Sequence, residues 1–275
     1  DHRMMLEHPE LIADGIEYLR KYMNQYLGNA VFKICIEKNK ADAIEVLKKT
    51  FKGVDYVVVH ELKTIYPQGA KQVMLYNATG RVAVAGKRFP SFGALIINVS
   101  SLAKMAEYLN TGMPLVEKCI TVDGSAVNSP KNVIVPIGIH VGDVFKFCGG
   151  FSSEPGKVLY GGPMMGVAVP DLSAPVLKQT NAVLALTKKE ASTPKETNCI
   201  RCGACVTNCP FGITPPAIAK AYKNKDVDAM VKAGAELCME CGCCSYNCPA
   251  NRPLVQTNRL AKVLIKETKE KEANK

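Results

Sequence analysis

The first repeating feature of the chain is an apolar stripe of helical period. Over residues 9–27, Leu11, Ile12, Ile16, Leu19, Tyr22, Met23 and Tyr26 share one face, Pro9 suits a first helical turn, and Gly28 with Asn29 ends the pattern. The apolar run 31–36 predicts a strand, 39–51 an amphipathic helix opening on Asn39, and the valine-rich run 55–60 a second strand. Neither strand alternates with polar residues, so both are expected to be buried on two faces. After a loop at 63–68 the pattern predicts a helix over 69–77, a bend containing Gly and Pro, a strand over 94–99 and a helix over 101–110. Strands alternating with helices predict an α/β fold, a parallel sheet with flanking helices.

The pattern changes at Thr111-Gly112-Met113-Pro114. Short β-like runs at 115–122 and 132–137, a turn at Asp123-Gly124 and a short helix over 141–147 describe a small α+β unit closed by Gly149-Gly150. A unit of about forty residues is too small to be comfortably stable alone, so it is expected to pack on its neighbours. An apolar strand from Lys157 runs into the loop Gly161-Gly162-Pro163-Met164-Met165-Gly166, read as tight turn and packing. A second strand-like run at 181–187 leads to a polar linker, 188–198. Residues 215–222 and 226–235 are expected to be helical, and the Lys/Glu-rich stretch from Lys262 to Lys275 to be a solvated helix end or tail. The expected divisions are 1–112, 113–150, 151–190 (returning strands), 191–262 and 263–275.

With 275 residues, 47% hydrophobic and 22% charged, the composition is that of a soluble protein with more than one domain. No apolar run approaches the ~18 residues of a membrane span, and no secretory leader is apparent. The formal charge of +10 invites an acidic partner, but the basic residues are scattered and aromatics make up only 7%, which argues against nucleic acid.

Cysteine usage changes the picture most. Nine of the twelve cysteines fall between Cys199 and Cys248, in two copies of one pattern. The copies are Cys199-x2-Cys202-x2-Cys205-x3-Cys209-Pro210 and Cys238-x2-Cys241-x2-Cys244-x3-Cys248-Pro249. Three thiolates at such steps can wrap one cubane, while the fourth points away; in two-cluster ferredoxins it ligates the other cluster. The expected ligand sets for two 4Fe-4S clusters are therefore Cys199, Cys202, Cys205 and Cys248, and Cys238, Cys241, Cys244 and Cys209. Zinc usually takes two separated cysteine pairs or histidine, and cysteines three apart on tight loops are poorly placed for disulfides. Cys243 breaks the spacing and is read as a buried free thiol. Two oxidised cubanes with their thiolates, at about -2 each, would bring the loaded chain to about +6. Helices between the motifs predict an α-helical ferredoxin module. Cluster assembly needs reduced thiols, which points to a reducing compartment.

Asp1-His2-Arg3 followed by Pro9-Glu10, the run Tyr66-Pro67-Gln68-Gly69-Ala70, the loop Gly161 to Gly166, and CIRCGACVTNCP with CMECGCCSYNCP together resemble the RnfC family, the C subunits of the Rnf-type ion-pumping ferredoxin:NAD oxidoreductases. More distantly, this family resembles the flavin-bearing NADH-binding subunit of respiratory complex I. The resemblance implies a β-grasp SLBB domain between about Pro114 and Gly150, and FMN at the carboxyl ends of the sheet strands, where open α/β sheets generally bind ligands. By motif position it implies flavin contacts at Tyr66 and Gly69, and at Asn98 near the flavin phosphate. Ser100 and Ser101 open the next helix, whose amides suit a phosphate or, alternatively, an ordinary helix cap. Ala70 and Lys71 stand where the complex I subunit has paired glutamates, so its nucleotide contacts do not carry over. A glycine-rich phosphate loop is expected upstream of Asp1, in a part this chain lacks. His60, at a strand end, is read as structural.

The implied function is electron transfer between NAD(H), FMN and two 4Fe-4S clusters. The expected setting is a complex that exchanges electrons between ferredoxin and NAD(H), in either direction, and moves Na+ or H+, with this subunit held by the other subunits on the cytoplasmic face of the membrane. Two alternatives stay open: a cobalamin reductase of the propanediol-utilisation type, and an adaptor whose clusters serve structure.

Overall fold

The computed structural model describes residues 1–84 and 86–274, apart from the side chain of Leu27. Its contacts divide the chain into two units, Asp1–Leu115 and Val116–Lys275.

The first unit runs α1 (His2–Glu7), α2 (Pro9–Leu27), β1 (Phe32–Glu37), α3 (Ala41–Thr50), β2 (Val57–Leu62), α4 (Lys71–Thr79), a 3-10 turn at Phe89–Phe92, and α5 (Val99–Thr111). The stripe read from the sequence makes the core: Ile12, Ile16 and Leu19 of α2 are buried with Leu47 of α3, Ile36 and Val57 of the strands, and Leu102 and Ala103 of α5. Gly15 lets α2 and α5 meet, since a Cβ there would stand 2.7 Å from Cγ of Leu102. β1 and β2 pair in parallel, from Phe32 opposite Val57 to Glu37 opposite Leu62.

Two expectations need correcting. The strands are not buried on both faces: Lys33 and Val58 are exposed, and Ile36 is the one fully buried residue of β1. Among the described residues this sheet has two strands, so each is an edge strand with a solvated side. The strand expected over 94–99 does not form either. Residues 94–98 have no ladder partner among the described residues, and Leu95 and Ile97 lie exposed. Val99 instead opens α5, because Asn98 turns its side chain onto the helix as an N-cap.

The second unit begins with β3 (Glu117–Asp123), β4 (Lys131–Pro136), α6 (Val141–Phe147), β5 (Pro155–Tyr160), β6 (Val167–Ala168) and β7 (Ala182–Thr187). The strand order is β4-β3-β7-β5-β6. β7 lies parallel to β3 and antiparallel to β5, so the returning strands of 151–190 complete the sheet begun by β3 and β4. Alternation here is strict and one-sided: Ile120, Val122, Val133 and Val135 point to one face, against Val141, Val144 and Phe145 of α6 and Val183 of β7. Beyond it come α7 (Ala204–Thr207), α8 (Pro215–Lys223), α9 (Val227–Lys232), a 3-10 turn at Ala235–Leu237, α10 (Cys243–Tyr246) and α11 (Leu254–Ala273). The stretch from Lys262 continues α11 to Ala273, but it is not solvated from its start: Lys262 is partly buried against Glu240 and Ile265 is buried, and the helix is mostly exposed from Lys266 on; Lys275 lies outside the described residues. No described helix is long and apolar enough to cross a membrane.

Phe145 is 1% exposed, and its ring centroid lies 4.9 Å from that of Phe151 with the two planes tilted by 48°. Phe145→Ala should cost about 3–5 kcal/mol, read as a lower denaturant midpoint together with faster amide exchange in β3 and β7. Unchanged exchange there would show that α6 does not hold this sheet.

Candidate functional site

The two cysteine motifs fold as copies of each other. In each, the residue before the second cysteine is left-handed (Arg201, φ 57°; Glu240, φ 62°), and so is the glycine after it (Gly203, φ 79°; Gly242, φ 83°). That double reversal curls the first two thiols back over a short helix, α7 or α10, which carries the third. An asparagine then closes each copy, with Asn208 Nδ2 donating to the Ala204 carbonyl and Asn247 Nδ2 to the Cys243 carbonyl, both at 2.9 Å.

The fourth cysteine of each copy crosses to the other. One cavity is lined by Cys199, Cys202, Cys205 and Cys248, with Arg201, Val206 and Leu254 around them. A second is lined by Cys209, Cys238, Cys241 and Cys244, with Cys243, Ile213, Val255 and Asn258. The thiols ring a space instead of meeting at a point: among the described residues no three His, Cys, Asp or Glu side chains come together to hold one metal ion. The two rings differ in exposure, since Cys199 and Cys202 are exposed whereas Cys238, Cys241 and Cys244 are buried.

Burial governs the thiols. It pushes Cys205 and Cys238 above the ordinary thiol range, and pushes Cys244 up to about 11, with the neighbouring Cys238 adding to the effect. Cys243 rises to about 12 through burial first and then a hydrogen bond with Cys241. A bound metal would act against this effect, because it stabilises the thiolate directly. Cys243 is 8% exposed and sits at the wall of the second cavity, a fifth thiol beside the expected four.

The surroundings lock the second copy. Glu240 pairs with Arg259 at 3.1 Å and Lys262 at 2.6 Å, both on α11, and Lys262 also donates to the Cys238 carbonyl. The linker is tied to the second copy by Thr197 N donating to the Ala250 carbonyl and by an Arg252–Glu196 pair at 3.5 Å. The loop 161–166 packs here as well, as its sequence suggested. Arg259 donates to the Met165 carbonyl at 3.2 Å, and a Cβ on Gly242 would stand 2.7 Å from the Met164 carbonyl oxygen. Sequence reasoning missed Asn258. It is 0% exposed and donates from Nδ2 to Sγ of Cys238 at 3.4 Å. A signal was present, as it interrupts the buried stripe Leu254, Ala261, Ile265 of α11 with an amide.

In the first unit, Asn98, Ser100 and Ser101 come together. Asn98 Oδ1 accepts from the backbone amides of Ser100 and Ser101 at 3.0 and 3.2 Å, its Nδ2 donates to Asp1 at 2.9 Å, and the Ser100 hydroxyl donates to the same carboxylate at 2.6 Å. The start of α5 thus already holds an anionic group, as a helix N-terminus favours. Tyr66 and Gly69 belong to the loop between β2 and α4; Tyr66 is 50% exposed and a Cβ on Gly69 would meet nothing within 4 Å. Between them Gln68 is 2% exposed; its Oε1 accepts from Asn77, while its buried Nε2 has no partner among the described residues. His60 is half-buried in β2.

Comparison with known proteins agrees with this layout. Residues 1–107 match the Nuo51 FMN-binding domain family, 119–168 the SLBB domain family, and 195–252 the 4Fe-4S dicluster domain family. The chain is 40% identical over 262 residues to the C subunit of the Na(+)-translocating ferredoxin:NAD(+) oxidoreductase complex of Acetobacterium woodii, covering 95% of this chain and 58% of that protein. It is 37% identical over 222 residues to the C subunit of the proton-translocating ferredoxin:NAD(+) oxidoreductase complex of Clostridium ljungdahlii, covering 80% of this chain and 47% of that protein. Against the C subunit of the ion-translocating oxidoreductase complex of Rhodobacter capsulatus it is 39% identical over 263 residues, with 95% and 50% covered. The chain is a homologue of these C subunits. It spans about half the length of the curated relatives it matches.

The domain families assign FMN and two 4Fe-4S clusters as cofactors. The residues present fit them. Four thiols from both motifs ring each cavity, and the loop after β2 offers an orphaned buried amide at Gln68 beside open space at Gly69.

Gly203 and Gly242 share a left-handed backbone, but only Gly242 faces another chain segment, a Cβ on Gly203 meeting nothing within 4 Å. Gly203→Ala should cost about 1–2 kcal/mol of backbone strain, whereas Gly242→Ala must also displace the Met164 carbonyl. Iron and sulfide analysis should find more iron lost from Gly242→Ala, and equal losses would contradict this packing.

Proposed function

We propose that the chain is the electron-transfer part of a C subunit that works in a membrane-bound, ion-translocating complex linking NAD(H) to ferredoxin. The observation that carries this reading is the crossed grouping of eight cysteines around two cavities, in a chain that also carries a flavin-domain sequence. In this reading Cys199, Cys202, Cys205 and Cys248 hold one cluster, and Cys238, Cys241, Cys244 and Cys209 the other. Cys243 stays out of both sets, as a buried protonated thiol.

Flavin, when bound, supplies the conversion between the two-electron chemistry of nicotinamide and the one-electron chemistry of clusters. The chain's own residues position and shield. Tyr66 and Gly69 would border the flavin from the loop after β2, beside the buried Gln68, and Asn98 Nδ2 and the Ser100 hydroxyl, next to the cap that Asn98 makes with the amides of Ser100 and Ser101, would face its phosphate. Phosphate and the Asp1 carboxylate would compete for those two side-chain donors. Arg259 and Lys262 hold Glu240 and with it the left-handed turn that presents Cys238 and Cys241. No acid or base is needed at the clusters, since only electrons move there. Other subunits of the complex, at the cytoplasmic face of the membrane, hold the chain and supply the ion path. The names of the relatives favour this reading over a cobalamin reductase or a purely structural role. NADH-dependent reduction of flavin and clusters in the intact complex is the discriminating assay.

Reconstituted protein should hold about eight irons, four to each cluster. Cys209→Ser should lose the cluster ringed by Cys238, Cys241 and Cys244 and keep the one ringed by Cys199, Cys202 and Cys205; the reverse loss, followed by iron counts and electron paramagnetic resonance, would refute the crossing. For the flavin, Asn98→Asp keeps a good helix cap but removes the Nδ2 donor. It should lower FMN affinity roughly tenfold or more, through the lost hydrogen bond to a charged group and the like charge it sets beside the phosphate, with iron unchanged. Unaltered flavin binding in a fluorescence titration would place the phosphate elsewhere.

A further inference from the structure

Asn258 is the polar residue of the second cavity that the two-cluster reading leaves without a role. It lies in the first half of α11, 0% exposed, on the stripe that otherwise buries Leu254, Ala261 and Ile265. Its Nδ2 donates to Sγ of Cys238 at 3.4 Å, and its Oδ1, equally buried, has no partner among the described residues. Burying a carboxamide with half its capacity unmet is unfavourable, and an apolar residue would fill this stripe without that cost. What the amide does with its N–H therefore sets it apart from a packing residue. Cys199, in the matching place of the first copy, is exposed, so water instead of a buried amide reaches it. The charges beside Cys238 oppose one another, since Lys262, 3.1 Å from its carbonyl oxygen, is paired with Glu240 at 2.6 Å, which leaves the Asn258 amide as the donor on its sulfur.

We infer that Asn258 is a potential-setting residue: its N–H···S bond to Cys238 raises the reduction potential of the second cluster and so separates the two clusters in energy. The inference rests on the two-cluster reading above. Reduction adds one electron and no proton to a cluster, and the added negative charge spreads onto its sulfur ligands. A donor fixed on one of those sulfurs stabilises the more negative state more than the less negative one, which is how hydrogen bonds to sulfur tune such centres. Asn258 touches a ligand, not the iron, so it positions and polarises Cys238 without replacing it.

The test is a potentiometric titration of the full 275-residue chain, anaerobically reconstituted, followed by electron paramagnetic resonance. Asn258→Leu removes the N–H while keeping the number of side-chain heavy atoms, and Asn258→Ser removes its reach while leaving space. Iron is counted first, so that failure of the two-cluster reading shows in the unaltered chain, independently of either variant. With iron intact, the wave of the second cluster, identified as the one that Cys244→Ser disturbs, should move to more negative potential. The reduced-to-oxidised ratio at a fixed potential should fall up to about tenfold, which is 59 mV for a one-electron couple. The wave of the first cluster should not move. Unmoved waves in either iron-replete variant, or equal shifts of both waves, would overturn the inference. Loss of the second cluster from both variants would overturn it too, by making Asn258 a structural support of the site.

Discussion

The fold of the second unit depends on one constraint, that neither cysteine motif can complete a ring of thiols from its own loop. Cys209 and Cys248 each follow a helix that ends on an asparagine-to-carbonyl bond, and each emerges facing the other motif's cavity. The loops must therefore meet before either cavity exists. Apolar contacts bring them together, with Leu254 and Val255 at the head of α11 packed among Cys205, Cys244 and Cys248. The hydrophobic effect assembles the frame and the metals then close it, so in such sites binding energy is also folding energy.

Near-identical backbones serve two different environments. The first ring lies at the surface beside exposed Ile200, while the second is enclosed by Ile213, Val255 and Asn258 and braced by the Glu240 ion pairs. Exposed ion pairs contribute little to stability. Those of Glu240 are half-buried and hold a left-handed residue, so here they define a conformation more than they add stability. In the proposed function, a surface centre beside an interior one would give a path for electrons a direction in space, whichever way they flow.

Covalent chemistry was the most legible part of the sequence. On the proposed ligation, iron dictates the spacing of Cys199 to Cys209 and of Cys238 to Cys248, and no packing choice can blur it. Helices with a strong stripe, such as α2, and the one-sided alternation of β3 and β4 were legible for a similar reason, as one face meets water and the other does not. The run at 94–98 misled because an apolar stretch cannot say whether a neighbouring strand exists to accept its hydrogen bonds, and Asn98 had another use as a cap. Asn258 escaped because its meaning comes from Cys238, twenty positions earlier, which only the packing of α11 brings alongside. The residues proposed for the flavin split in the same way: Asn98, Ser100 and Ser101 form a local cluster, whereas Gln68 was hidden inside a run quoted for its neighbours.

The contact between Gly242 and the Met164 carbonyl joins two stretches that look unrelated in sequence, a loop between β-strands and a metal-binding motif. Backbone meets backbone there, so no rotamer change can relieve an added atom. The two stretches must consequently vary together. A lineage that retracted the 161–166 loop would relieve the clash with the Met164 carbonyl, although a side chain at position 242 would still meet its left-handed backbone. In grafting this cysteine module onto another scaffold, leaving the loop behind would open the Gly242 side and remove the hydrogen bond from Arg259 to the Met165 carbonyl.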